Sequence, residues 1–325
     1  MKTIGFVISH KDGEQRRGLI PQDIIKNVKN PGQICIETGY GDSLGIADEE
    51  YHQAGCKIVS REQALSCDII ADVKLGDADY LDEIGEGKVL FGWAHAVQNI
   101  AFTDQALNKN QTVVAWEEIF ENGRYIFYRN REIAGEAAVM HAFRYCGKMP
   151  YDCSVAILGN GQTAKGAMRI LHGLGATVDV YGRKLEKLFR ENMYQYDVII
   201  NCVMWDTART DRVIYREDLK KMKPGTLIID VSCDPELEIE TSVPTKISDP
   251  VYTVDGVIHY AVDNTPAMFP KTVSKILSAG ISKYIDQILL DDYSEPLENA
   301  VVIRQGHIVY EPIRQFRQER NIFCK

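Results

Sequence analysis

The segment Val155–Lys184, VAILGNGQTAKGAMRILHGLGATVDVYGRK, constrains this chain more than any other. It reads as an apolar strand, a glycine-rich turn, a helix and a second strand, the unit that binds a dinucleotide in doubly wound sheets. Gly159 and Gly161 allow a tight turn and close backbone approach, and Ala164, where a third glycine is usual, still lets the helix pack on the strand. Asn160, Gln162 and Thr163 fill the turn and the helix start, where free N–H groups face a diphosphate. An acid usually holds the ribose hydroxyls at the tip of the second strand. Here Gly182, Arg183 and Lys184 stand at that tip. Two cations and no carboxylate suit a 2′-phosphate, so the segment reads as an NADP site. Asp179, the rival acid, sits inside the strand on the face opposite Gly182.

The rest of the chain alternates in the same way. Thr3–Ser9, Gln33–Thr38, Asp68–Lys74, Lys88–Ala96 and Gln111–Trp116 are short apolar runs. Helical patterns over Pro21–Lys29, Asp48–Ala54, Arg61–Ser66 and Thr103–Lys109 separate them. Ile133–Tyr145 reads as a long helix before the dinucleotide unit, and Lys271–Leu290 as one helix of about five turns. Asp197–Met204 is a strand ending in an apolar loop, which adds Cys202 and Val203 on the cofactor side, and Thr226–Ser232 is another strand. Val301–Tyr310 reads as a hairpin around Gln305-Gly306. The expectation is an α/β protein of two Rossmann-like, doubly wound domains with a cleft between them. Residues 1–130 form the substrate-binding catalytic domain and 131–279 the NADP-binding domain, with 280–325 packing back on the first.

Net charge is −9 with both signs interspersed, which argues against a nucleic-acid surface. The apolar run near Met1 is too short for a signal core, and no stretch has the length of a membrane span. A soluble cytoplasmic protein is expected. The eight cysteines form no CxxC pair and match no zinc spacing, so most read as buried reduced thiols and no metal is expected.

An oxidoreductase needs a proton-moving group and cations for an oxyanion or carboxylate. Three stretches of the first domain offer them. Arg16 and Arg17 lie in the loop GEQRRGLIP, Lys74 ends DIIADVK, and His95 ends VLFGWAH. Ligands of open α/β sheets gather at such strand ends. Each residue also has a plainer reading. Arg17 reads as solvated, Lys74 alone as a surface lysine, and His95 alone as a structural histidine.

In order and spacing these stretches resemble the alanine dehydrogenase, saccharopine dehydrogenase and transhydrogenase superfamily. The resemblance covers nearly the whole chain. It is carried by EQRR before Pro21, DVK at Lys74, the aromatic strand ending at His95, GNGQTA, IINC at Cys202, IIDVSCD at Ile228–Asp234 and HYAVDNTPAMFPKT at His259–Thr272. It implies that Arg16 grips a keto-acid carboxylate and that Lys74 binds the carbonyl or carboxylate. It implies that His95 is the acid–base group, that Asp234 lies near the nicotinamide and the reacting carbon, and that Asn264 closes over the nicotinamide. Within the superfamily the best likeness is to an opine-forming, NADPH-dependent branch. Such enzymes condense pyruvate with the side-chain amine of ornithine or lysine. A homo-oligomer, dimer or tetramer, is expected on the same ground. The rival readings are an alanine dehydrogenase- or saccharopine dehydrogenase-like oxidoreductase and a non-catalytic NADP-binding sensor. Arg129, Arg131 and Glu136 remain open candidates for the amino-acid end of the substrate.

Overall fold

The structure is a computed structural model that describes residues 1–205, 209–233 and 237–322. The chain runs β1 (Ile4–Phe6), β2 (Ile34–Glu37), β3 (Lys57–Val59), β4 (Ile69–Asp72), β5 (Val89–Gly92), β6 (Thr112–Ala115) and the small hairpin β7 (Phe120–Glu121) and β8 (Arg124–Tyr125). It continues with β9 (Ser154–Leu158), β10 (Thr177–Tyr181), β11 (Val198–Asn201), β12 (Leu227–Asp230), β13 (Val251–Val254) and β14 (Val257–Tyr260), and ends with β15 (Val301–Arg304) and β16 (His307–Ile308). Met1–Phe127 and Phe269–Lys325 make one unit, and Tyr128–Met268 makes the other. No helix among the described residues is long and apolar enough to cross a membrane.

The sheet of the first unit has the order β16-β15-β6-β5-β4-β1-β2-β3. It is parallel from β3 to β6, and β15 and β16 add antiparallel at the far edge. Because β1 pairs with β2 on one side and β4 on the other, the winding reverses there. In open α/β sheets this is the crevice where ligands bind. Gly5 makes the helix Arg61–Ser66 fit against β1, since a Cβ there would lie 2.1 Å from the Ala64 carbonyl oxygen. Phe91, Trp93, Trp116 and Phe127 form a buried aromatic group with mostly edge-to-face contacts, centroids 5.4–5.6 Å apart. Such contacts favour the fold beyond the area they bury.

The sheet of the second unit has the order β10-β9-β11-β12-β14-β13, parallel except for β13. Its winding reverses at β9 and β11. The helices Tyr128–Ala142 and Gln162–Gly173 cross at backbone contact. A Cβ on Gly135 would lie 2.0 Å from the Thr163 carbonyl oxygen, and one on Gly166 would lie 1.8 Å from that of Glu132. These glycines therefore set the height of the helix that begins after Gly161.

Both units are doubly wound α/β, as the alternation predicts. Several details differ from the sequence reading. Lys271–Leu290 is not one helix: Pro270–Ile281 and Ile285–Leu290 are separated by the tighter turn Ser282–Tyr284. Pro270–Ile281 belongs wholly to the first unit, where Ser274 and Ser278 hydroxyls accept the backbone N–H groups of Arg17 and Ile20. The β13–β14 hairpin has no counterpart in the sequence reading, although its turn is Asp255-Gly256, both at positive φ. The hairpin at Gln305-Gly306 is present, with φ of 47° and 72°.

Candidate active site

In the first unit the candidate residues gather beyond the carboxyl ends of β4 and β5. Asp72 and Gly92, the last residues of these strands, are register partners. Lys74 follows two residues after the one and His95 three after the other, so neither lies in a strand. Two glycines lock the two loops together. A Cβ on Gly92 would lie 2.0 Å from the Asp72 carbonyl oxygen, and one on Gly76 would lie 2.2 Å from that of Ala94. Gly76 N–H donates to the Trp93 carbonyl at 2.8 Å, and the Asn99 amide donates to the Gly76 carbonyl at 2.7 Å.

Asp77 sits between two cations. Its Oδ2 lies 3.0 Å from Lys11 Nζ and 3.6 Å from Lys74 Nζ. Burial alone would raise its carboxyl, but Lys74 and Lys11 outweigh burial and hold it below the ordinary range. His95 is shifted the other way. Burial, then the charge of Lys74, bring its pKa down to about 4; Asp77 opposes this, and Lys11 and Arg16 reinforce it. The imidazole is therefore neutral at neutral pH. Asp72 is buried beside them and pushed up to about 6 by burial, although it accepts the Tyr80 hydroxyl and the Lys74 N–H.

Arg16 is buried and forked onto Glu14, with Nε–Oε1 at 2.9 Å and Nη2–Oε2 at 2.6 Å. Its guanidinium lies 5.0 Å from the centre of the Trp93 ring, and the Trp93 indole donates to the Tyr125 hydroxyl at 2.9 Å. One edge of the fork that the sequence reading gave to a substrate carboxylate is thus filled by Glu14. Arg17 is not solvated, as its sequence reading expected. It is 5% exposed, donates to the Tyr40 and Arg16 carbonyls, and lies over the Tyr40 ring. It holds the loop rather than a ligand.

In the second unit Gly159 has φ +99°, and a Cβ on it would lie 2.8 Å from the Cys202 carbonyl oxygen. The turn after β9 therefore rests on the loop after β11, where Cys202 N–H donates to the Leu158 carbonyl at 2.9 Å. Gly161 differs: it precedes the helix Gln162–Gly173, and a Cβ there would meet nothing within 4 Å. Its bareness answers no packing demand of the protein and suits a ligand at the helix start. Ala164 is fully buried against the sheet. Beside the turn is a cavity of about 610 Å³ lined by Asn160, Met168, Val180, Gly182, Arg183, Lys184 and Leu185. The side chains of Arg183 and Lys184 are exposed, and neither has a hydrogen bond or ion pair with another described residue. Asp179 is turned away from this cavity and accepts the Tyr196 hydroxyl at 2.8 Å.

Val203 N–H donates to the Asn201 side-chain oxygen at 3.2 Å, and the Asn201 amide bridges Asp230 at 2.9 Å and Glu238 at 3.0 Å. Burial raises the Asp230 carboxyl, which accepts the Ser242 hydroxyl and the N–H groups of Cys233 and Ser232. This network holds the ends of β11 and β12 together. Asn264 is buried, and its carbonyl accepts the Ala267 N–H. Asp234 lies outside the described residues. Arg129 and Glu136 are drawn into a network with Glu132 and Arg169 that ties the two crossing helices. Cys35, Cys56, Cys67, Cys153 and Cys233 are buried free thiols; Cys324 lies outside the described residues.

Sequence reasoning missed Glu14, Asp77 and Glu117. The first two stand two residues before Arg16 and three after Lys74, close enough for a flanking acid to have been weighed. Glu117 comes from after β6, and nothing local links it to His95.

Residues 8–126 match the family model described as alanine dehydrogenase/PNT, N-terminal domain, and residues 182–312 match that of the C-terminal domain. A protein named N(5)-(carboxyethyl)ornithine synthase from Clostridium botulinum (strain Hall) is 32% identical, the match covering 91% of this chain and 95% of that one. Another of that name from Lactococcus lactis (strain IL1403) is 35% identical, covering 87% and 95%. The solved structure of an L-alanine dehydrogenase superposes with a TM-score of 0.83 at 23% identity, covering 98% of this chain and 99% of that one. The chain belongs to the alanine dehydrogenase/PNT family and is a nicotinamide-dependent oxidoreductase that acts on the CH–NH group of amino acids.

Proposed function

We propose that this enzyme uses NADPH to condense pyruvate reductively with the side-chain amine of ornithine or lysine. The products are N5-(1-carboxyethyl)ornithine or N6-(1-carboxyethyl)lysine. The observation that carries the chemistry is that Lys74 lies 3.6 Å from Asp77 while the charges of Lys74, Asp77 and Arg16 all act on the His95 imidazole. The substrate class rests on the two relatives named N(5)-(carboxyethyl)ornithine synthase, which the chain matches over most of its length. The cofactor choice rests on the exposed, unengaged side chains of Arg183 and Lys184 beside their cavity.

The residues of the chain divide the work as follows. Arg16 and Lys74 hold the keto-acid carboxylate and its carbonyl oxygen, which polarises the carbon for attack. The incoming amine must be neutral, yet an unperturbed alkyl amine is charged at neutral pH. His95, kept neutral by burial and by Lys74, keeps a free lone pair at neutral pH, but near 4 it is too weak a base for an alkylammonium until the bound substrate raises it. Once a bound carboxylate offsets the cations around it, the imidazolium becomes easier to keep. The same ring then returns a proton to the carbinolamine hydroxyl, which leaves as water. Gly159–Ala164, Gly182, Arg183, Lys184, Cys202, Val203 and Asn264 would hold the dinucleotide, which when bound supplies the hydride that reduces the imine carbon. Asp234 would stabilise the cationic imine, a role it has only by resemblance. A homo-oligomer in the cytoplasm completes the reading.

Mass spectrometry of the product tests the reading. A secondary amine joining the pyruvate carbon to the side-chain nitrogen of ornithine or lysine is expected. Alanine as the sole product would replace this reading with that of an alanine dehydrogenase.

A further inference from the structure

His95 does not follow its strand into ordinary backbone. Its φ is +48°, a left-handed conformation. Most other non-glycine residues of this kind among the described ones are Asn or Asp, whose short polar side chains tolerate it. Histidine is enriched there too, but the conformation still costs a residue with a Cβ more than glycine, and no glycine stands at positions 93–97. The turn is held by hydrogen bonds from outside its own loop.

The group that reaches the turn is a carboxylate. Glu117 follows β6, the neighbour of β5, in the short turn Trp116–Glu118. Its Oε1 accepts the His95 N–H at 2.5 Å, and its Oε2 accepts the Ala94 N–H at 3.2 Å. The far side of the turn is tied by Asn99, whose N–H donates to the His95 carbonyl at 3.0 Å. We propose that Glu117 is a positioning residue for the reaction: by gripping two successive N–H groups it holds His95 in its left-handed backbone and so fixes the imidazole beside Lys74. The proposal rests on the acid–base reading of His95.

The chemistry of the grip explains why a carboxylate stands there. Two oxygens of one ionised carboxylate accept both donors at once. Glutamine of the same length offers one acceptor and turns its own N–H groups against the second donor. Burial pushes the Glu117 carboxyl up to about 7, even against the backbone N–H groups that favour its charged form. A partly buried acid is retained here at a cost that a purely structural turn, with a glycine at position 95, would avoid.

The test is a double-mutant cycle on full-length enzyme, with NADPH oxidation followed in the presence of pyruvate and ornithine. Glu117→Gln is expected to lower kcat on the order of 10²-fold, the scale of a small misplacement of a reacting group. The KM for pyruvate and the NADPH affinity should be nearly unchanged. In a His95→Asn background the same change should cost nothing further, because its effect runs through the imidazole. Equal fold-losses in both backgrounds, or wild-type turnover by Glu117→Gln, would overturn the proposal. A destabilised fold would lower both backgrounds alike and is therefore counted against it. Should Glu117→Gln fail to fold, Glu117→Asp, which keeps the charge with a shorter reach, is put through the same cycle, where a loss confined to the His95 background supports the proposal and equal losses overturn it. A fully active His95→Asn enzyme would sink the acid–base reading itself. An impaired His95→Asn with an unaffected Glu117→Gln would sink only the role of Glu117.

Discussion

Lys74 and His95 follow adjacent strands of one parallel sheet, and the ammonium of the first helps keep the imidazole of the second neutral. Replacing Lys74 by Met should therefore raise the His95 pKa from about 4 toward the ordinary histidine range. Titration of the imidazole proton signals, assigned by their loss in His95→Asn, reads this directly. An unchanged or lower value would remove Lys74 from the electrostatics of the site.

The depressed pKa also makes stability depend on pH. The unfolded chain protonates His95 near the ordinary value of about 6.5, whereas the folded protein does so near 4. Between those values the unfolded state binds more protons, so the contribution of this residue is complete above about 6.5 and is lost as pH falls toward 4. In urea melts over this window the decline should be shallower for His95→Asn than for the unmodified enzyme. Parallel curves would contradict it.

On the proposed NADPH reading, Arg183 and Lys184 hold the 2′-phosphate. Charge-assisted hydrogen bonds contribute roughly 1.5–3 kcal/mol each, so removing both cations should weaken NADPH binding by on the order of 10²-fold or more. NADH, which has no 2′-phosphate, should bind the Arg183→Ala, Lys184→Ala enzyme much as before. Fluorescence titration of both nucleotides checks this, and equal losses would contradict a phosphate clamp.

The two glycines of the turn should fail in different ways. Gly159→Ala sets a Cβ against the Cys202 carbonyl at φ +99°, which should destabilise the second unit by roughly 1–3 kcal/mol and lower its melting temperature. Gly161→Ala fills space that no protein atom uses, so it should melt like the unmodified enzyme yet bind NADPH poorly. A normal NADPH affinity in Gly161→Ala would place the diphosphate elsewhere.

The α/β alternation and the segment Val155–Lys184 were legible because each rests on local pattern: strand, turn and helix lie next to one another in the chain. The β13–β14 hairpin is legible from Asp255-Gly256, a two-residue turn between two strand-like runs. The break at Ser282–Tyr284 has only Gly280 before it, and that glycine also answers packing, since a Cβ there would lie 2.7 Å from the Phe127 ring. What the sequence hid were the partners that arrive from elsewhere. Arg17 looked solvated because Tyr40 and Ser274, which bury it, stand 23 and 257 residues away. Glu117 was hidden for the same reason, and the crossing at Gly135 and Gly166 looked like ordinary helix sequence. Glu14 was in plain view, but its bond to Arg16 depends on both side chains folding back on one buried loop.

Reductive condensation meets its sharpest test in the rate of NADPH oxidation with pyruvate and each of four additions: ornithine, lysine, ammonia or no amine. The expected result is oxidation that requires ornithine or lysine, with ammonia and the amine-free control near background. Oxidation as fast with ammonia as with ornithine, or none with any amine, would contradict it.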